Sequence, residues 1–237
     1  MEKQKLNRFV QKYTLGGLIE SVKWESDGNT LQTSFISDDK SVLGSLSMTD
    51  SAIAKSEFGV YDTSKLKNML NVLGPDVDFE ISSAGEKAVS LKFKDKLTSI
   101  NYMLADLSVI PNVPDLKQLP PFDIQIKLDT NFINKFIKAK SALADENNFA
   151  FISKGGKSTI VIGHSNINTN KISIEVDATT EGDVSPMYFS ATYLKEILVA
   201  NKDASDATLN ISSQGLAHIQ FEIDEYKSNY YLVKIEA

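Results

Sequence analysis

The nearest approach to a catalytic motif in this chain is one glycine-lysine run. Gly155-Gly156-Lys157-Ser158-Thr159 has the residue types with which a phosphate-binding loop cradles a nucleotide. That loop also needs a glycine five residues before the glycine that precedes its lysine, and position 151 is Phe. Because paired glycines also form tight turns, the run predicts a turn between two strands.

The other polar residues show no pattern of a metal or acid-base site. His164 and His218 stand alone, without a carboxylate at metal-ligand spacing, and the chain has no cysteine. The acidic pairs Asp38-Asp39 and Asp145-Glu146 fall in predicted loop or helix-end positions without a partner base. We therefore expect no enzyme, no metal and no cofactor. The lack of cysteine favours the cytoplasm, and no apolar run approaches the ~18 residues of a membrane helix.

Lysine is distributed unevenly along the chain, and this indicates a binding function. Four segments with helical periodicity, at 2–14, 62–73, 129–145 and 190–203, contain 11 basic and 6 acidic residues, a net charge of +5. The remainder contains 14 basic and 25 acidic residues, a net charge of −11. Lysine suits diffuse attraction to phosphate, whereas base reading favours arginine, and Arg8 is the only arginine. The pattern predicts weak, salt-sensitive and sequence-independent contact with double-stranded DNA.

Two pairs of matching segments indicate a duplicated domain. Ile81-Ser82-Ser83-Ala84-Gly85 returns 130 positions later as Ile211-Ser212-Ser213-Gln214-Gly215, and Leu6-Asn7-Arg8-Phe9-Val10 returns 127 positions later as Ile133-Asn134-Lys135-Phe136-Ile137. Each copy has a little over a hundred residues, a normal size for one core. For any single helix a solvated face would explain the lysines, but a duplicated fold places equivalent helices on one surface. The predicted segments are a first domain at 1–105, a connector at 106–121 and a second domain at 122–237.

Apolar spacing predicts four amphipathic helices. They run from Lys3 to Tyr13, from Thr63 to Leu73 after the N-cap Asp62, after Asp129 and after Ser190. One residue does not fit, because Lys140 falls within the apolar arc of the third helix. Either that helix bends or the lysine snorkels to solvent.

Short strands separated by turn residues fill most of the remaining chain. The segments rich in β-branched and aromatic residues are Ser90 to Phe93, Thr98 to Met103, Ser158 to Ile162, Lys171 to Val176, Thr208 to Ile211, His218 to Ile223 and Tyr230 to Ile235. Asp27-Gly28-Asn29 and Asp224-Glu225 read as hairpin ends. The fold class is therefore α+β, with helices on one face of antiparallel sheets. The first half lacks a counterpart of the strand Phe122 to Leu128, because its helix begins almost at Met1.

The predicted connector is rich in proline and also in apolar residues. Four of the six prolines lie in it, which predicts an extended segment that is neither helix nor central strand. Two interpretations remain open: its apolar residues pack onto the protein's own sheets, or they border a groove for a partner peptide. The residues concerned are Leu107, Val109, Ile110, Val113, Leu116 and Leu119.

The order of elements at the end of the chain resembles that of a known family. Ser190-Ala191-Thr192-Tyr193-Leu194-Lys195, a strand pair, and Tyr230-Tyr231-Leu232-Val233-Lys234-Ile235-Glu236 are similar to the closing helix, hairpin and terminal Tyr-Tyr-Leu run of the sliding clamps. These are DNA polymerase processivity factors, and the resemblance is strongest to the bacteriophage type and extends to proliferating cell nuclear antigen. One departure is that a single Val233 replaces the Ala-Pro that usually follows the run.

The resemblance implies a ring of six similar domains, and therefore three copies of a two-domain chain. An edge strand near Leu97 to Leu104 would pair with one near Lys171 to Ala178 of the next copy. Helices would line the hole and place these residues near DNA: Lys5, Arg8, Lys12, Lys65, Lys67, Lys135, Lys138, Lys195 and Lys202. DNA polymerase and an ATP-dependent clamp loader would insert apolar anchors into a groove bordered by Leu107, Val109, Ile110, Val113, Leu116, Leu232 and Val233. Some phage clamps also serve transcription.

A structural or assembly protein is the alternative function, since duplicated β-rich domains also build oligomeric shells. The charge distribution separates the two functions, because a shell has no need of lysines on four equivalent helices.

Overall fold

The computed structural model describes residues 3–51, 53–85, 87–116, 118–165, 167, 169–180, 182–204 and 206–236. The ends of the predicted domains at Met1, Glu2 and Ala237, and Lys117 of the predicted connector, lie outside the described residues. The chain forms two compact units. The first comprises Met1–Ser37, Gly44–Pro114 and Asp224–Ser228, and the second comprises Asp38–Leu43, Asp115–Ile223 and Asn229–Ala237. Among the described residues, no helix is long and apolar enough to cross a membrane.

The described residues contain four α-helices and sixteen strands, which confirms the α+β class. The helices are α1 (Lys3–Thr14), α2 (Thr63–Asn71), α3 (Thr130–Ala142) and α4 (Ala191–Ala200). The strands are β1 (Val22–Ser26), β2 (Leu31–Ile36), β3 (Val42–Met48), β4 (Ser56–Val60), β5 (Asp78–Ala84), β6 (Lys87–Lys94), β7 (Ser99–Met103), β8 (Ile124–Asp129), β9 (Asn148–Lys154), β10 (Lys157–Ile162), β11 (Ile172–Val176), β12 (Ala178–Thr179), β13 (Val184–Ser190), β14 (Asp206–Ser212), β15 (Leu216–Ile223) and β16 (Tyr226–Val233).

Each unit is built on two antiparallel sheets. In the first unit the orders are β3-β2-β1-β4 and β5-β6-β7, and Trp24 of β1 lies opposite Thr33 on one side and Phe58 on the other. In the second unit the orders are β12-β8-β14-β15-β16 and β11-β10-β9-β13. Strands β3 and β16 are neighbours, and each contributes residues to both units. The two units therefore repeat one strand plan, as the sequence repeat predicts.

The helices form where the apolar spacing and the caps predict them. The Asp62 carboxylate accepts a hydrogen bond from the Lys65 amide at 2.7 Å, and the Asp129 carboxylate accepts one from the Phe132 amide at 2.7 Å. Ser190 caps α4 in the same way. The apolar stripes then face the sheets. In the first unit, the Phe9 ring lies edge-on to Trp24 with centroids 5.3 Å apart.

The lysine in the apolar arc of α3 does not reach solvent. Lys140 is buried, and its ammonium donates a hydrogen bond to the Ala144 carbonyl at 2.8 Å. The amine thus binds a carbonyl group just beyond its own helix end, where cations are favoured. The interpretation that Lys140 snorkels to solvent is therefore wrong, and a bend in the helix stays a prediction.

The connector differs from the sequence prediction in one turn. Leu107–Val109 form a short 3-10 helix instead of an extended segment. The cause is local, because the Asp106 carboxylate accepts a hydrogen bond from the Ser108 amide at 3.0 Å and so closes the turn. Ile110, directly after the turn, has an extended backbone, and the described residues from there to Asp123 form neither helix nor strand.

The expected absence of an opening strand in the first unit agrees with the described residues. Strand β14 lies between β8 and β15, whereas its counterpart β5 has only β6 beside it among the described strands. From Lys3 onward the first unit begins directly with α1.

Candidate nucleic-acid interface

The helices of each unit present lysines away from the sheets. Helix α1 contacts α2 in the first unit, and α3 contacts α4 in the second. Because the apolar side of each helix covers a sheet, its polar side faces outward. Five of the predicted lysines are exposed and form no ion pair among the described residues: Lys65, Lys67, Lys135, Lys138 and Lys202.

The cations of α1 have a different environment, because the turn between β15 and β16 binds them. The Arg8 guanidinium donates a hydrogen bond from Nη1 to Oδ2 of Asp224 at 2.9 Å. The Lys5 ammonium lies 3.4 Å from Oε1 of Glu225. The sequence alone indicates only a hairpin end at Asp224-Glu225, since 216 positions separate Arg8 from Asp224.

Lys12 is not on the exposed face of α1. Its side chain is only 3% exposed, and its ammonium lies 5.5 Å from the centre of the Tyr226 ring, which also carries the Arg8 guanidinium at 5.1 Å. This cation-π contact explains the burial. Lys12, which the resemblance places near DNA together with Lys5 and Arg8, therefore does not expose its ammonium to solvent as those two residues do.

The remaining predicted cation, Lys195 on α4, is partly covered. Its ammonium lies 3.3 Å from Oε1 of Glu196. Burial lowers the pKa of nearby Lys140, and the positive charge of Lys195 lowers that pKa further. The pair shows that the helices of the second unit hold cations close enough to repel each other.

The glycine-lysine run is a hairpin turn, as predicted. Lys154 and Lys157 lie opposite each other at the ends of β9 and β10, and Gly155 and Gly156 have φ angles of 57° and 77°. The Gly155 amide donates to the Asp183 carboxylate at 2.8 Å. Among the described residues, no group of three His, Cys, Asp or Glu side chains could hold a metal ion.

The apolar residues predicted to border a groove divide into three classes. Leu107, Val109, Leu116 and Val233 are exposed. Ile110 and Val113 are half-buried, and the Ile110 side chain contacts β4 at Gly59. Leu232 is fully buried, because Tyr230 and Leu232 alternate on the inner face of β16. The assignment of Leu232 to the groove is therefore wrong.

A half-buried aromatic cluster on the second unit was not predicted as a site. The His218 ring stacks on Tyr231 with centroids 4.5 Å apart, and Phe122 lies 5.8 Å from the same ring. Nε2 of His218 is 3.1 Å from Oδ1 of Asn229, and burial lowers the pKa of His218. The predicted turn at Asp224-Glu225 fixes the register of β15 and β16, and this register places His218 beside Tyr231. The hairpin pattern in the sequence could therefore have predicted this aromatic pair.

Comparison with solved structures shows that the chain has the sliding-clamp fold. It superposes on proliferating cell nuclear antigen from Entamoeba histolytica with a TM-score of 0.73 and 15% identity, over 100% of this chain and 97% of that one. The A. fulgidus protein, solved with the bound C-terminal region of FEN-1, gives 0.73 and 17%, over 100% and 98%. The PCNA2-PCNA3 complex from Sulfolobus tokodaii gives 0.71 and 12%, over 99% and 97%. No family model matches the sequence, and no curated protein sequence is significantly similar to it.

The expected resemblance to sliding clamps is thus confirmed at the level of the fold. The likeness to the bacteriophage type, which rests on the residues near Ser190 and Tyr230, stays a prediction.

Proposed function

We propose that this protein is a DNA sliding clamp without catalytic activity, a homotrimer that encircles duplex DNA and tethers the replicative polymerase. The observation that carries the proposal is the set of five exposed lysines without ion pairs among the described residues, on or just beyond the helices of both units of a clamp fold. Flexible point charges attract phosphates without reading sequence. A ring holds DNA by topology, so weak contacts suffice and allow sliding.

The strand plan supports closure of a ring by edge pairing. The repeated strand plan makes β7 the counterpart of β16, because each is the third strand of its hairpin series. In the same way, it makes β11 the counterpart of β3. Strands β16 and β3 are neighbours, whereas β7 and β11 are both edge strands among the described sheets. We propose that β7 of one copy pairs with β11 of the next, and that the exposed side chains of Leu97 and Met103 become covered.

Exposed apolar residues support a role in binding partner proteins. We propose that Leu107, Val109 and Leu116 of the connector take apolar anchors from the polymerase and from an ATP-dependent clamp loader. The second unit offers the Phe122-His218-Tyr231 cluster for the same purpose. The bound FEN-1 segment in the A. fulgidus structure supports this kind of recognition. We also propose that the chain consists of a first domain at 1–105, a connector at 106–121 and a second domain at 122–237. The proposed location is the cytoplasm, where the DNA is. By the likeness to some phage clamps, we propose the transcription machinery as a further partner.

The test replaces the five exposed lysines with alanine and compares the variant with a control of equal charge change. The control replaces five exposed strand lysines: Lys92, Lys94, Lys127, Lys154 and Lys157. Both variants should keep the trimer mass, three times 26.1 kDa or 78.3 kDa, by light scattering across protein concentrations.

Only the helix variant should bind duplex DNA more weakly, with a salt slope reduced by about 0.9 for each phosphate that a lysine no longer neutralises. Processive synthesis by the cognate polymerase should fall with it. Unchanged processivity would contradict the proposed function. A monomer at every concentration would favour the assembly-protein alternative.

A further inference from the structure

We propose that the Asp224-Glu225 turn is a built-in phosphate mimic that competes with DNA for Arg8 and Lys5 of α1. The inference rests on the proposed function and concerns the regulation of the same surface. In this view the turn occupies the two cations when no phosphate is near, and DNA must displace it to reach them. The turn therefore lowers the affinity of the protein for DNA.

The contacts have the geometry that such competition requires. Each carboxylate binds one cation, with Arg8 Nη1 at 2.9 Å from Asp224 Oδ2 and Lys5 Nζ at 3.4 Å from Glu225 Oε1. A phosphate group offers the same kind of anionic oxygen to an arginine or lysine. The Arg8 and Lys5 side chains are 29% and 35% exposed, so a phosphate can approach them from solvent.

The turn itself is held in place independently of these ion pairs. The Glu225 carbonyl accepts a hydrogen bond from the Thr49 amide at 3.0 Å, and the Tyr226 hydroxyl donates one to the Lys5 carbonyl at 2.9 Å. Tyr226 is buried under the Arg8 guanidinium. The backbone of the turn is thus fixed, whereas the long Arg8 and Lys5 side chains can turn toward another anion. Because partly exposed ion pairs are weak, such an exchange costs little.

The second unit provides an internal comparison. The sequence repeat aligns Arg8 with Lys135, and Lys135 is exposed without an acidic partner among the described residues. Equivalent helices therefore differ in one respect: the cations of α1 are matched by carboxylates, and Lys135 of α3 is not. Within one copy, Lys135 therefore shows the exposed state that the cations of α1 would have without the turn.

The test neutralises the turn in the full-length chain and measures binding to a fluorescent linear duplex by anisotropy over a range of salt concentrations. The variant is Asp224→Asn with Glu225→Gln. Its control, Asp115→Asn with Glu236→Gln, removes two exposed acids that form no ion pair among the described residues. We expect the turn variant to bind about two- to tenfold more tightly than the control at low salt, with a slope steeper by about 1 to 2.

A third protein establishes that the gain comes from α1. Adding Arg8→Ala and Lys5→Ala to the turn variant should return affinity and slope to the control values. If the turn variant and its control bind alike, or if the gain survives removal of the Arg8 and Lys5 side chains, the inference is wrong. The proposed function is tested separately, because it fails when replacement of the five exposed lysines leaves DNA binding unchanged.

Discussion

Replacing Gly59 with alanine tests how tightly the start of the connector is held against β4. The Ala105 amide donates a hydrogen bond to the Gly59 carbonyl at 3.0 Å. A Cβ atom at position 59 would lie 2.9 Å from the Ala105 carbonyl oxygen and 2.9 Å from Cγ1 of Ile110. Both distances are shorter than van der Waals contact, and one of the two atoms belongs to the backbone. The connector must therefore shift, or β4 must bend.

The expected cost follows from two opposing effects. Overpacking of a well-packed site costs about 1–3 kcal/mol. Removing glycine's extra freedom from the unfolded chain offsets about 0.4–1 kcal/mol of this. Taking the middle of each range, we expect Gly59→Ala to lower the free energy of unfolding by about 1.3 kcal/mol.

Fluorescence of Trp24 during urea unfolding provides the assay. Trp24 is the only tryptophan, and it is buried against Phe9, Tyr13 and Phe58 in the same unit as Gly59. The control introduces Gly59→Ala into the Ile110→Ala variant. Because Ile110→Ala removes one of the two clashing atoms, Gly59→Ala should lower the free energy of unfolding by less in this variant than in the parent. An unchanged urea midpoint and slope for Gly59→Ala would show that the connector is not held against β4, and would refute the reasoning.

Two further predictions concern the second unit. Asp129→Ala removes the N-cap of α3 and should lower stability by about 1 kcal/mol, whereas Asp129→Asn keeps a capping oxygen and should cost much less; thermal unfolding of both variants checks this. Burial lowers the pKa of His218 below its ordinary 6.5, so the unfolded chain binds more protons between the folded pKa and pH 6.5. The stability of the folded protein should therefore decrease as the pH is lowered from 6.5 toward the folded pKa of His218. The urea midpoints of His218→Gln should vary less with pH over this range than those of the parent. Equal pH dependence in both proteins would contradict this assignment.

The sequence predicted the elements whose signals are local. Each helix has a 3.6-residue apolar stripe, and Asp62, Asp129 and Ser190 are caps that act within three residues. The 3-10 turn at Leu107 also has a local cause in Asp106, so the Asp-x-Ser pattern could have revealed it. Leu232 could likewise have been placed in the core, since it alternates with Tyr230 along β16.

Long-range contacts were beyond the reach of the sequence. The spacing along α1 does not indicate that Lys12 is buried, because the Tyr226 ring that lies over its ammonium is distant in the sequence. The ion pairs of Lys5 and Arg8 with the β15-β16 turn depend on the same distant approach. Thus the sequence predicted which residues the helices carry, but it could not predict which of those cations are matched by carboxylates.

The exchange of short segments between the two units affects how the chain can be divided. The first unit includes Asp224–Ser228 from near the end of the chain, and the second includes Asp38–Leu43 from near its start. A cut in the connector therefore yields two fragments, each of which lacks a segment that its compact unit contains. Neither fragment should fold fully by itself, whereas the two should reassemble when produced together.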